Sequence, residues 1–126
     1  MSLDGRKGPC FESRSMPRRA ATPAPGSPVR GSRTGRPIMA LLDLLGRRWV
    51  LRVVWELRDR ELKFRELQVA CDGVSASVLN ERLHELREAG ILETVEQTGY
   101  RLTTRGRSLL LSLRSLDAWA KEWAPR

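Results

Sequence analysis

Ser77, Asn80, Glu81 and His84 are separated by three, one and three residues, a spacing that gathers them on one side of a 3.6-residue helix. Their chemistry is hydrogen bonding. An asparagine amide pairs bidentately with adenine, a glutamate accepts from the amino group of cytosine, and a serine bonds to either. These are base-edge contacts, and a helix reads the major groove through side chains near its start. Ser75 stands immediately ahead of the set, where a serine or threonine oxygen caps free backbone N–H groups; Ser77 is the other candidate cap. Anchoring to phosphate needs cations, and Arg48, Lys63 and Arg65 are placed for it; Arg101 is a further cation among the candidate DNA-binding residues. Arg82 lies nearer the apolar side of the helix, where it either reaches phosphate or braces a carboxylate. Glu81, Glu85 and Glu88 project from the same polar side, so an ordinary solvated helix surface is the competing reading.

Bond-making chemistry has little to stand on. The single histidine, His84, has no Cys or Ser partner at motif spacing, and no glycine-rich phosphate loop is present. No carboxylate pair is distinguishable from helix surface charge. Cys10 and Cys71, the two cysteines, form no metal-ligand or redox spacing. The expectation is therefore no enzyme, no catalytic residue, no metal and no cofactor.

The elements that must position the polar set are legible from periodicity. Leu79, Leu83 and Leu86 recur at i, i+4 and i+7 and form the apolar stripe of the same helix. Asp72-Gly73-Val74 signals a turn before it, and Gly90 ends it by accepting a left-handed cap. Ile91–Val95 and Tyr100–Leu102 read as two short strands around Glu96-Gln97-Thr98-Gly99. A helix followed at once by a small hairpin has the form of a recognition helix and wing. Upstream, Ile38, Leu41, Leu42 and Leu45 make a short helix after Pro37. Trp49 to Leu57 follows as a central helix expected to be nearly surrounded, with Val50, Val53, Val54 and Leu57 on one face and Leu51 and Trp55 on another. Glu61-Leu62-Lys63 suits a third small strand beside the wing, Phe64 to Cys71 the first helix of the helix-turn-helix, and Thr103 to Trp123 a long last helix. Cys71 completes a stripe with Phe64 and Leu67, as a small buried hydrophobe. The fold class expected is α+β: a winged helix-turn-helix, mostly helical.

Several segments carry a further resemblance: Gly46-Arg47-Arg48-Trp49, Lys63–Leu67, Gly73-Val74-Ser75, Leu79–Leu83 with Leu86, Glu88–Leu92, and Tyr100–Arg107. In this order and spacing they resemble the HxlR family of bacterial transcriptional regulators, relatives of the MarR group, from about Pro37 to the C-terminus. The resemblance implies a homodimeric winged-helix repressor or activator that binds double-stranded DNA. Some members sense oxidants through a cysteine in a C-P-[VI] pattern ahead of the first helix. Here Arg36 precedes Pro37-Ile38. Family wings carry a longer segment with basic residues, whereas Glu96–Arg101 is short and Arg101 is its only cation.

Charge is unevenly distributed. The net charge is +8, yet residues 1–37 alone hold eight Lys/Arg against two acidic residues, with six of the seven prolines and five of the ten glycines. Basicity is mostly a property of this stretch. With no periodic apolar run it cannot offset the entropy of ordering, so residues 1–36 are expected to be a disordered basic tail on a domain spanning 37–126. A basic arm along DNA, an inert tail, and upstream sequence ahead of a start at Met16 or Met39 are the three alternatives for it. Ala20–Pro25 is no apolar signal region, and no run of 18 apolar residues occurs, so a cytoplasmic protein without a membrane partner is expected.

Leu109, Leu113, Leu116, Ala120 and Trp123 are spaced 4, 3, 4 and 3 residues apart, a heptad seam that faces a partner helix. Leu110 and Trp119 add apolar surface beside it. A homodimer through this helix would place two recognition helices about one DNA turn apart and require an inverted-repeat operator. The alternative function is a winged-helix protein-interaction module without DNA binding, favoured by the acidic face and reduced wing. No motif in the chain identifies a small-molecule effector.

Overall fold

The computed structural model describes residues 22–96 and 99–125. Its elements run α1 (Pro37–Leu45), α2 (Val50–Glu56), α3 (Phe64–Ala70), α4 (Ala76–Glu88), β1 (Leu92–Val95), β2 (Gly99–Leu102) and α5 (Thr104–Trp123). The strands pair antiparallel, Leu92 opposite Leu102 and Val95 opposite Gly99. This is a winged helix-turn-helix, as the helix and hairpin pattern predicts. The third strand contracts to a single bridge between Leu62 and Tyr100.

One apolar core holds the helices together. Val50, Val53, Val54 and Leu57 of α2 and its end pack with Leu67, Cys71, Leu79, Leu83, Leu86 and Leu102, all at most 2 % exposed. Burying a leucine side chain contributes roughly 1.5–3 kcal/mol, so the stripe on α4 is what seats that helix. The other face of α2 departs from expectation: Leu51 is 44 % and Trp55 50 % exposed. They border a groove shared with Leu110 and Leu113 on α5, because α5 crosses only one side of so short a helix.

Caps and glycines set the ends of the site-bearing elements. Ser75 is the N-cap of α4, its hydroxyl accepting from Val78 N–H at 3.3 Å. Gly90 takes the left-handed conformation, φ +76°, after which the chain turns into β1. Thr103 caps α5 by accepting from Gly106 N–H at 3.0 Å, while its own hydroxyl donates to the Gly90 carbonyl at 2.6 Å. A Cβ on Gly106 would lie 2.1 Å from the Ile91 carbonyl oxygen. That close approach is the physical content of the Leu102-Thr103-Thr104-Arg105-Gly106 motif.

Residues 1–21 of the expected tail lie outside the described residues. Residues 22–36 differ from a disordered tail: Val29 and Ser32 form a bridge, Gly26 N–H donates to the Gly35 carbonyl at 2.9 Å, and Arg30 N–H reaches Asp43 on α1 at 3.2 Å. Pro23 is buried against α1, and the Thr22 hydroxyl donates to the Glu88 carboxylate at the end of α4. Glycines with positive φ at positions 26, 31 and 35 let the backbone satisfy itself in tight turns without a periodic apolar face, so periodicity could not reveal it.

Candidate nucleic-acid interface

The helix-turn-helix is fixed at its turn by polar contacts. Asp72 and Gly73 both take positive φ, and the Gln68 side-chain amide donates to the Val74 carbonyl at 2.8 Å. Arg52 on α2 reaches the same turn, donating to the Ala70 carbonyl at 2.7 Å and to Asp72 at 3.2 Å, and it holds Glu56 at 2.9 Å. The Glu56 carboxyl is accordingly held below its ordinary range, chiefly by that Arg52 hydrogen bond. α3 and α4 are thus set in angle before any DNA is met.

On α4 the structure exposes Ser75, Ser77, Asn80 and His84, with Glu81 half-buried beside them. His84 Nε2 lies 3.4 Å from Glu88. The cations divide into two groups. Arg48, Lys63 and Arg65 are exposed and form no ion pair among the described residues; Arg48 rests over the Trp49 ring at 5.7 Å. Arg82 and Arg101 are engaged within the chain. Arg101 on β2 donates to Glu93 at 2.7 Å and lies 3.6 Å from Glu61, and the Glu93 hydrogen bond raises its pKa. Arg82 donates to Glu85 at 2.6 Å and lies 3.5 Å from Glu81.

Glu85 corrects the reading of α4 as evenly acidic. It is 1 % exposed and receives Arg47, from the turn between α1 and α2, at 2.5 Å as well as Arg82. A buried ion persists only when paired and hydrogen-bonded. Sequence reasoning missed Arg47 and Glu85 because their pairing spans 38 positions and leaves no periodic trace. Glu85 flanks the polar arc, where it reads as one more surface acid. With Glu85 withdrawn, the exposed face of α4 is less acidic than its composition suggests.

Among the described residues no group of three or more His, Cys, Asp or Glu is disposed to hold a metal ion, and no helix is long and apolar enough to cross a membrane. Cys71 is a buried free thiol whose pKa is raised by burial.

Residues 44–126 match the HxlR-like helix-turn-helix family. The chain belongs to that family. Among similar proteins, YvaP of Bacillus subtilis, described as an uncharacterised HTH-type transcriptional regulator, is 35% identical over 88 residues, covering 65% of this chain and 82% of YvaP. The HTH-type transcriptional regulator YodB of the same organism is 31% identical over 87 residues, 64% of this chain and 78% of YodB. The crystal structure of quinone-bound YodB superposes with a TM-score of 0.65 at 30% identity, covering 68% of this chain and 96% of that one. A protein from Enterococcus faecalis described as a MarR-family transcriptional regulator gives 0.63 at 29% identity, over 69% of this chain and 84% of its own. This HxlR-like chain is accordingly a transcriptional regulator of that type, which implies DNA binding.

Proposed function

We propose that the chain is a sequence-specific regulator that acts as a homodimer on an inverted-repeat operator in duplex DNA. The observation that carries this is the solvent-facing arc of Ser77, Asn80 and His84 at the N-terminal half of α4, bordered by Glu81 and seated on a core that fixes its rotation. In this reading those four side chains and Ser75 meet base edges or the adjoining backbone. Arg48, Lys63 and Arg65 bind phosphate. Arg82 braces carboxylates, and Arg101, tied to Glu93, contributes little to the minor groove.

Homodimerisation draws support from α5. From Leu116 onward every described residue is exposed, with Leu116 at 60 %, Trp119 at 58 % and Trp123 at 74 %. Trp119 and Trp123 stack with ring centroids 5.7 Å apart. Ile38 and Leu42 on α1 are also more than half exposed. Contiguous apolar surface of this kind marks an interface, and a second copy with its own α5 is the partner the heptad spacing fits.

A protein-interaction module without DNA binding is the second reading, favoured by the internal pairing of the wing's cation. Titration against a pool of genomic duplex fragments at two salt concentrations separates the two. Binding that falls steeply with salt and enriches particular fragments supports regulation; no duplex binding at low salt sinks it.

A further inference from the structure

Four charged residues form a chain from the interior of the domain to the reading face. Arg47, in the turn between α1 and α2, donates to buried Glu85; Glu85 accepts from Arg82; and Arg82 Nη2 lies 3.5 Å from the Glu81 carboxylate. The two ends differ in kind. Glu85 is 1 % exposed, whereas the Glu81 side chain is 39 % exposed and belongs to the polar arc with Ser77, Asn80 and His84. Arg82 is itself mostly covered, at 15 %, and its Nε has no hydrogen-bond partner among the described residues. Its guanidinium is therefore held by its two ends, one on each carboxylate, rather than by a fork onto a single acid.

This geometry constrains Glu81. A glutamate on an exposed helix face has freely turning outer torsions, and freezing them on binding costs conformational entropy. A guanidinium beside one oxygen limits that motion and also offsets the repulsion Glu81 would meet from phosphates. The second oxygen stays available to accept. Arg82 can do this only because Glu85 holds its other end, and Glu85 is itself engaged by Arg47 from another element.

We infer that Glu85 is a positioning residue for DNA reading, which acts through Arg82 to fix the Glu81 carboxylate as the acceptor for the amino group of one cytosine in each half-site. The inference rests on the proposed entry of α4 into the major groove. It assigns Arg82 a role in specificity rather than in phosphate binding.

The test begins by selecting the preferred site of the full-length wild-type protein from a randomised duplex pool. Affinities are then measured for every single-base-pair variant of that site. Glu81→Gln should lose about tenfold of discrimination at one C·G pair, within the range expected of a bidentate or charge-assisted base contact. Glu85→Gln and Arg82→Gln should lose discrimination at that same pair while keeping the preferences read by Asn80. Arg82→Gln keeps the Arg47–Glu85 pair, so it decides the matter even if Glu85→Gln fails to fold. A Glu85→Gln or Arg82→Gln protein that weakens on all sequences equally, with its base profile intact, would reduce the chain of charges to a structural brace and overturn the inference. So would an unchanged profile for Glu81→Gln. A wild-type protein that selects no site overturns the proposed regulation as well, which distinguishes the two failures.

Discussion

Leu62 and Tyr100 exchange two backbone hydrogen bonds, Leu62 N–H donating to the Tyr100 carbonyl at 3.1 Å and Tyr100 N–H to the Leu62 carbonyl at 2.8 Å. The segment entering α3 is thereby stitched to the wing, so the helix-turn-helix and the hairpin are joined through the backbone as well as through the core. The closeness is possible because the neighbour is glycine: a Cβ on Gly99, at φ +120°, would lie 2.2 Å from the Leu62 carbonyl oxygen.

Gly99→Ala should therefore destabilise the wing, and Gly106→Ala the whole domain. Alanine in a helix ordinarily stabilises by about 1 kcal/mol over glycine, yet at position 106 overpacking against Ile91 should reverse the sign, with a loss of about 2 kcal/mol. Thermal unfolding followed by circular dichroism gives the answer. An increase in Tm for Gly106→Ala would show that the Ile91 contact is not limiting.

Asn80→Ala should cost roughly 1–3 kcal/mol at a single base position if the amide reads adenine. Competition binding across single-base variants measures it. Unchanged base preference would remove Asn80 from the reading set.

Residues 1–21 hold five Lys/Arg against two acidic residues and are proposed to act as a sequence-independent electrostatic arm. Their deletion should flatten the slope of log K against log salt by about 0.9 for each phosphate the arm had neutralised, with base preference intact. An unaltered slope eliminates the arm.

Light scattering at micromolar concentration should report a dimer. Leu116→Arg combined with Trp123→Arg should return a monomer and weaken DNA binding, because two buried charges without partners oppose association. A monomeric wild-type protein refutes the α5 seam.

The Cys71 thiol, pushed up by burial, should stay protonated and inert at neutral pH, since the thiolate is the reactive form. Its elevated pKa favours the neutral thiol through the whole range below the ordinary cysteine value, so only alkaline or unfolding conditions should expose a thiolate. Mass spectrometry after alkylation, native against denatured, checks this. Rapid native labelling at Cys71 would contradict it.

Much of the architecture was readable because it is periodic. The Leu79, Leu83 and Leu86 stripe, the Gly90 stop and the hairpin each leave a local signature, and all three stand where that signature put them. What escaped was long-range or aperiodic. Leu51 and Trp55 share the apolar pattern of α2, but a pattern does not say whether a neighbour is present to cover it. Glu85 looks like Glu88 in sequence, and only the approach of Arg47 from another element separates the buried acid from the exposed one. The turns of residues 22–36 depend on glycine conformations and backbone pairing, which carry no hydrophobic period.

The hydrogen bond between Thr22 and Glu88 places Thr22 at the far end of α4 from Ser75, a separation of roughly 20 Å for 13 helical residues. That is twice the Debye length of about 10 Å at 0.1 M salt, so a charge at the position of Thr22 would be electrostatically remote from the end of α4 that is proposed to meet base edges.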